Sequence, residues 1–258
     1  MRTMWKIVII GMCALLWRCT INEQPKEGAL PKPPPPAEPC FPVGQYKAID
    51  IAQPTDTKFL YTMRQHGVET IIRYYDWAQE SIKGKTPKAE ELAVIKAAGL
   101  KFMAVFQHYN SSYSTFTDPK RPAIDLKRIL ELAKLWDQPQ GSGVYIGVDG
   151  DFWTTEQKSA VRNYFRPISD GLRKAGFRVG MYGSGANCLS LAAAGLIDKT
   201  GDKPWCWIAA SAHGWSGTKD VLASGKYVLA QKVNQKCAGK SLDYNIVNAE
   251  DFGAWALP

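Results

Sequence analysis

A chain of 258 residues, 45% hydrophobic and 22% charged, has the size of one large globular domain, and α/β barrels reach this length undivided. Its formal charge of +8 points to an anionic partner or surface. The basic residues are scattered, with no Lys/Arg run longer than two, and neither a zinc-finger spacing nor an RNA-binding signature occurs, so nucleic acid is set aside as a partner.

Residues 1–20 combine Arg2 and Lys6 with the apolar stretch 7–17, the charge and length of a secretory signal peptide and less than a membrane span requires. No A-x-A site occurs, and Trp17 and Arg18 stand before Cys19 where a lipoprotein signal wants small residues. Cleaved signal and retained anchor therefore both remain open, and contact with a membrane is expected through this segment alone. Residues 21–43 hold a run of prolines from Pro25 to Pro42, which predicts an extended polyproline II spacer. Beyond the leader, Cys40, Cys188, Cys206 and Cys237 make an even set suited to disulfides in an oxidising compartment, with three connectivities open. Cys188, in an apolar helix, reads equally well as a buried thiol. The expected location is the periplasm, cell envelope or exterior.

Residues 44–258 alternate β-rich runs with helical segments, the pattern of a parallel sheet with crossover helices. Eight strands are expected, at 46–51, 69–75, 101–106, 144–149, 178–182, 205–210, 227–231 and 242–246; several are apolar on both faces, as barrel strands are. Among the helices, Thr86 and Pro87 open 88–98 as N-cap and N1 and Gly99 closes it. Residues 125–136 and 186–194 fill two more crossovers. The sequence Thr154-Thr-Glu-Gln157 offers a capping box for 158–175, which ends at Gly176. After strand six the helical signals fade: 214–225 allows a short helix at most, and 232–241 reads as a loop. The fold class is α/β, a TIM-like (β/α) barrel of eight strands with irregular late units.

In such a barrel, chemistry collects at the C-terminal ends of the strands. Asp50 falls there on strand one, Arg73, Tyr74, Tyr75 and Asp76 on two, Gln107 and His108 after three, and Asp149-Gly-Asp151 after four. Tyr182 ends strand five, Trp207 and Ser211 lie on or after six, Gln231 ends seven and Asp243 belongs to eight. Asp149 and Asp151, two apart, project to one side with Cα atoms roughly 6–7 Å apart if the chain stays extended. Paired carboxylates suit glycosidic cleavage, one protonated as acid and the other stabilising an oxocarbenium-like state. The same triplet also fits a turn or cation-binding loop.

Asp50, inside the apolar run 48–52, needs a buried partner, and Arg73 is the candidate; a structural ion pair and a role in the site are both open. Tyr75, Tyr182 and Trp207 are the aromatic residues expected to face sugar rings. His66 reads as a surface residue at a helix end and His108 as a hydrogen-bonded loop histidine, while His213 is the third imidazole. Residues 182–185 lack the G-x-S-x-G spacing of a nucleophile elbow. With no H-E-x-x-H, P-loop, G-x-G-x-x-G or C-x-x-C motif, no metal and no cofactor is expected.

The segments 48–53 (AIDIAQ), 72–75 (IRYY), 86–105, 145–151 (YIGVDGD), 179–183 (VGMYG) and 242–245 (LDYN), in that order, resemble a bacterial glycoside-hydrolase-like domain family. That family was once a domain of unknown function and is related to family 25 lysozyme-type muramidases. The resemblance runs from Tyr46 to the C-terminus. It implies an eight-stranded barrel with irregular late strands, in which Asp50, Asp149 and Asp151 line a sugar-cleaving centre with Tyr182, Gln231 and Asp243 nearby. The muramidases carry D-x-E after strand four with the glutamate as acid; Asp151 is one methylene shorter, enough to move an acid by about an ångström. Together the leader, the rim and the resemblance point to an exported, monomeric glycosidase of peptidoglycan or another envelope glycan. In that role Asp151 is the general acid, Asp149 or Asp50 assists, and Arg73, Tyr75, Gln107, Tyr182, Trp207, Gln231 and Asp243 bind the glycan. The alternative is a non-catalytic carbohydrate-binding or envelope-interaction protein on the same barrel.

Overall fold

Six strands run parallel around a barrel in the computed structural model, which describes residues 40–209 and 214–258. They are β1 (Ala48–Asp50), β2 (Thr70–Tyr75), β3 (Lys101–Phe106), β4 (Gly143–Gly147), β5 (Arg178–Gly183) and, past a hairpin of β6 (Lys199–Thr200) and β7 (Lys203–Pro204), β8 (Cys206–Ile208). β9 (Leu229–Cys237) pairs parallel to β8, and β10 (Lys240–Val247) turns back antiparallel to β9 and closes an eight-stranded barrel on β1. A short β11 (Trp255–Ala256) adds antiparallel to the start of β3. The helices are α1 (Thr57–Gln65), α2 (Ala89–Ala97), α3 (Tyr113–Thr117), α4 (Arg121–Leu135), α5 (Thr155–Lys174), α6 (Gly185–Ala193) and α7 (Thr218–Ser224). The leader, the spacer up to residue 39, Ser211 and His213 lie outside the described residues.

The antiparallel last strand is the irregular late unit of the barrel, and residues 232–241, expected as a loop, are arms of a hairpin. Its two central turn residues, Ala238 (φ 46°) and Gly239 (φ 79°), both have positive φ, the geometry whose twist matches two antiparallel strands. Alanine seldom adopts that backbone, which hid the turn in the sequence. Cys40–Cys237 ties this hairpin to the start of the domain across 197 residues, and Cys188–Cys206 joins α6 to β8 across 18. Cys188 is therefore no free thiol. In a chain-entropy account the longer link constrains the unfolded chain more, each contributing on the order of 3–5 kcal/mol.

The Thr154 capping box forms as expected, its hydroxyl accepting from Gln157 N and the Gln157 side chain accepting from Thr154 N, both at 3.2 Å. The start of α2 differs: Lys88 is the N-cap and Pro87 lies outside the helix, while Gly99 (φ 68°) closes it as anticipated. His66, expected at the surface, is buried at the end of α1, its Nδ1 2.6 Å from Thr62 O.

Alternation along each strand sorts side chains between two cores. Ala48, Ile72, Met103, Val105, Tyr145, Trp205, Trp207 and Leu229 fill the barrel, with Phe252 among them, its carbonyl accepting from Tyr145 OH at 2.9 Å. Ile49, Ile71, Phe102, Ala104, Ile146 and Met181 face outward to the helices. Gly180 is an inward position where a Cβ would stand 2.5 Å from the Tyr145 ring, so the Tyr145 side chain occupies the space a larger residue would need.

Arg73 obeys the outward parity. Fully buried behind the wall, it grips Glu91 of α2 through Nε (2.8 Å) and Nη2 (3.1 Å), and also donates to the carbonyls of Ile51 and Gly84. The expected Asp50–Arg73 pair does not form, because the two residues lie on opposite faces of the barrel wall. Breaking a buried pair leaves an uncompensated charge, so Arg73→Met should lower the unfolding free energy by about 3–5 kcal/mol in chemical denaturation. A loss under about 1 kcal/mol would show that Glu91 needs no partner.

Candidate active site at the barrel mouth

Asp50 is the innermost carboxylate of the site. It ends β1, is 1% exposed, and sits opposite Asp243 in the β1–β10 ladder. Its Oδ1 accepts from Tyr74 OH (3.0 Å) and Gln231 Nε2 (3.2 Å), and its Oδ2 from Asn245 Nδ2 (2.8 Å) and Gln231 Nε2 (3.3 Å). The same Gln231 nitrogen reaches Asp243 Oδ2 at 3.2 Å, so one amide spans both carboxyl groups. Neighbours orient the two amides: Tyr182 OH donates to Gln231 Oε1 (2.9 Å) and Trp207 Nε1 to Asn245 Oδ1 (2.6 Å).

These donors to Asp50 are all neutral, so they favour the anion without cancelling its charge. Burial first, then the charge of Asp243, pushes the Asp50 carboxyl up to about 7 against the pull of Asn245, Gln231 and Tyr74. Burial raises Asp243 to about 6. The two titrate as a pair, and one proton stays with them close to neutral pH.

Asp149 lies two residues past β4. Burial raises its carboxyl, opposed by the Lys85 ammonium and by Gln107, whose Nε2 donates to Asp149 Oδ2 at 3.0 Å. Lys85 is itself buried, donating to Gln107 O (2.8 Å) and Ser81 Oγ (3.0 Å), 3.8 Å from Asp76 and 4.8 Å over the Tyr74 ring. Burial pulls its ammonium down, against the attraction of Asp76, Asp149 and Glu80. Asp76 accepts from Trp77 N, Ser81 N and Ser81 Oγ and binds the His108 ring through Nδ1, so His108 is the hydrogen-bonded loop histidine its position suggested.

Asp50, Gln107, Asp149, Tyr182, Gln231 and Asp243 thus gather at the mouth, while four other expected residues are placed differently. Asp151 diverges from Asp149: its oxygens accept from Ser216 N (3.0 Å) and Ser216 Oγ (3.1 Å), holding the loop before α7. The chain leaves its extended path at Gly150, whose carbonyl accepts from Phe152 N at 3.0 Å. Tyr75 points outward, its hydroxyl donating to Gln138 Oε1 (2.7 Å) and its ring against Trp136. Arg73 faces α2. Trp207 is inward but 1% exposed, its ring edge-on to Tyr182, so it belongs to the floor rather than to an open stacking face.

Tyr74, placed at the rim but not among the residues chosen for the pocket, completes the arrangement with Asn245 and Lys85, which were not expected there. Asn245 had a readable signal, since it lies two residues after Asp243 on the same face, whereas Tyr74 is inward because Asp50 pairs with Ile72 on β2, a register that one strand does not show. Lys85, in an irregular loop, had none. Gly147 also bears on the site, because a Cβ there would press on Gln107 Cγ at 3.2 Å. Among the described residues, no cluster of His, Cys, Asp and Glu has a metal-holding arrangement.

The profile of a family described as "Rv2525c-like, glycoside hydrolase-like domain" matches residues 61–249. An uncharacterized protein YbfG of Bacillus subtilis is 29% identical over 182 residues, 66% of this chain and 24% of its own length, so the chain spans about a quarter of that curated relative. The Tat-secreted protein Rv2525c of Mycobacterium tuberculosis, in a crystal structure with L-tartrate, superposes with a TM-score of 0.64 at 19% identity, covering 81% of this chain and 98% of that one. The modular autolysin LytC of Streptococcus pneumoniae gives 0.52 at 16% identity, over 78% of this chain and 46% of its own. At these identities the two structures speak for the fold.

The raised carboxyls have a consequence for stability. Their protonated forms are favoured by folding, so the contribution of the pair is complete below the unfolded value near 3.8 and is lost as pH rises through about 6 to 7. The melting temperature should fall between pH 5 and 8, and Asp243→Asn should flatten that fall. Parallel curves for the two proteins would mean that the pair holds no extra proton.

Proposed function

The chain belongs to the Rv2525c-like glycoside hydrolase-like family, and from that premise we propose that it is an exported, monomeric enzyme that hydrolyses a cell-envelope glycan, with peptidoglycan as the substrate. The observation that carries this reading is the Asp50–Asp243 pair, Asp50 buried and Asp243 half-buried, held by neutral donors at the barrel mouth with Asp149 as a further carboxylate. Glycosidic cleavage needs an acid that still holds its proton at working pH and an anionic group beside the developing oxocarbenium ion. Asp50 and Asp243 together have the character of the first; Asp149, also raised by burial but with Lys85 and Gln107 favouring its anion, is the group for the second. Tyr182 links them, since the charges of Asp149, Asp50 and Asp243 all bear on its phenol.

Export is supported by the two disulfides, which persist in oxidising compartments, and by the Tat-secreted character of the mycobacterial neighbour. The autolysin with the same fold supports a wall glycan. In this reading Asp151 acts through Ser216 as a loop anchor and not as the acid. The same contact favours a second reading, a non-catalytic glycan-binding protein, because the position that carries the acid in muramidases is here occupied with structure.

Incubating the full-length mature protein with peptidoglycan sacculi and scoring new reducing ends separates the two. The enzyme reading expects Asp50→Asn and Asp149→Asn to lose about a hundredfold or more, and Asp151→Asn to lose much less. Binding to sacculi with no reducing ends from the wild type would select the second reading, and equal signals from wild type and Asp50→Asn would sink the first.

A further inference from the structure

Tyr109, in the loop after β3, combines three properties that a structural tyrosine rarely has together. It is 60% exposed, its backbone is left-handed at φ 56°, and that backbone is held in place. Its carbonyl accepts from Ser112 N (3.0 Å) and Thr115 Oγ1 (2.9 Å), and its ring lies edge-to-face against His108 at 4.5 Å, itself locked to Asp76. The next residue, Asn110, accepts from Asp149 N through its carbonyl (3.1 Å) and donates from its side chain to Gly147 O (2.7 Å), so the Tyr109 loop is bonded directly to the Asp149 loop. On the loops after β2 and β4, the strands flanking β3, Ile82 and Trp153 are 51% and 55% exposed. The loops after β2, β3 and β4 thus each present an exposed apolar or aromatic residue, and Tyr109 lies on the one bonded to the Asp149 loop.

We propose that Tyr109 is the platform of a saccharide-ring subsite beside the carboxylates, so that the ligand is a glycan strand of several rings rather than one disaccharide. The inference rests on the glycan reading above and adds the length of the ligand and its direction. A ring seated over the buried carboxylates leaves Tyr109 uncovered; a later ring of a strand leaving along the β3–β4 arc covers it. An aromatic face fixed in advance binds without the entropic cost of ordering a mobile side chain, which is what the constrained backbone provides.

Titration calorimetry with soluble peptidoglycan strands of one and of four disaccharides tests this, in the Asp50→Asn background so that the strands stay intact. The four-disaccharide strand should bind the parent more tightly than the single one. Tyr109→Ala should weaken the long strand about tenfold and leave the short one unchanged, while Tyr109→Phe retains both. Tyr109→Asn, which tolerates the left-handed backbone, should lose the same tenfold without a lower melting temperature, so that misfolding does not account for the loss. Equal losses on both strands, or none on either, would overturn the subsite and leave the glycan reading standing. If the parent binds neither strand, the glycan reading falls and the subsite with it.

Discussion

The reversal of the last strand determines the chemistry of the mouth. Because β10 runs antiparallel to β1, its early residues stand at the end where the parallel strands finish, and Asp243 arrives opposite Asp50. A parallel eighth strand would present its C-terminal residues there instead. Two carboxylates brought together, one of them fully buried, cannot both ionise without loss, and the surrounding Tyr74, Gln231 and Asn245 supply hydrogen bonds but no compensating charge. The two-residue turn at Ala238 and Gly239 makes this possible, and the Cys40–Cys237 bridge secures the hairpin that carries it.

The barrel wall separates two electrostatic systems. Outside, Arg73 and Glu91 neutralise each other between β2 and α2, a pairing that stabilises the fold and leaves no charge for a ligand. Inside, charge is unevenly matched: Lys85 serves Asp149 through proximity and through Gln107, whereas Asp50 and Asp243 meet neutral donors. Carboxyl groups in one pocket thus differ in their affinity for a proton, the condition under which acid and anion roles can divide. Further out, Tyr109 adds an apolar face on a loop hydrogen-bonded to that of Asp149.

Much of this was legible in the sequence. Apolar strands, capping signals and turn glycines gave the barrel and most of its crossovers, and the rim rule brought Asp50, Gln107, Asp149, Tyr182, Gln231 and Asp243 to one end. Several failures lay at the scale of one residue. Arg73, Tyr74 and Tyr75 were all placed at the rim, with Arg73 and Tyr75 chosen to bind, and Tyr74 is the one that faces the pocket, because alternation is decided by the register between β1 and β2, which a single strand does not reveal. Asp151 was expected beside Asp149 on the assumption of an extended chain, and a bend at Gly150 sends it to Ser216. The hairpin at 232–241 is polar and carries alanine at a left-handed position, so nothing in its composition marks it as strand. Lys85 comes from an irregular loop whose path only tertiary packing fixes.

Whether Asp50 and Asp243 hold one proton between them near neutral pH is directly measurable. Carbon-13 NMR of aspartate carboxyl resonances, assigned with Asp50→Asn and Asp243→Asn, follows each group directly through a pH titration. A shared proton gives linked transitions with midpoints near 7 and 6. Two independent transitions near the ordinary aspartate value of about 4 would contradict it.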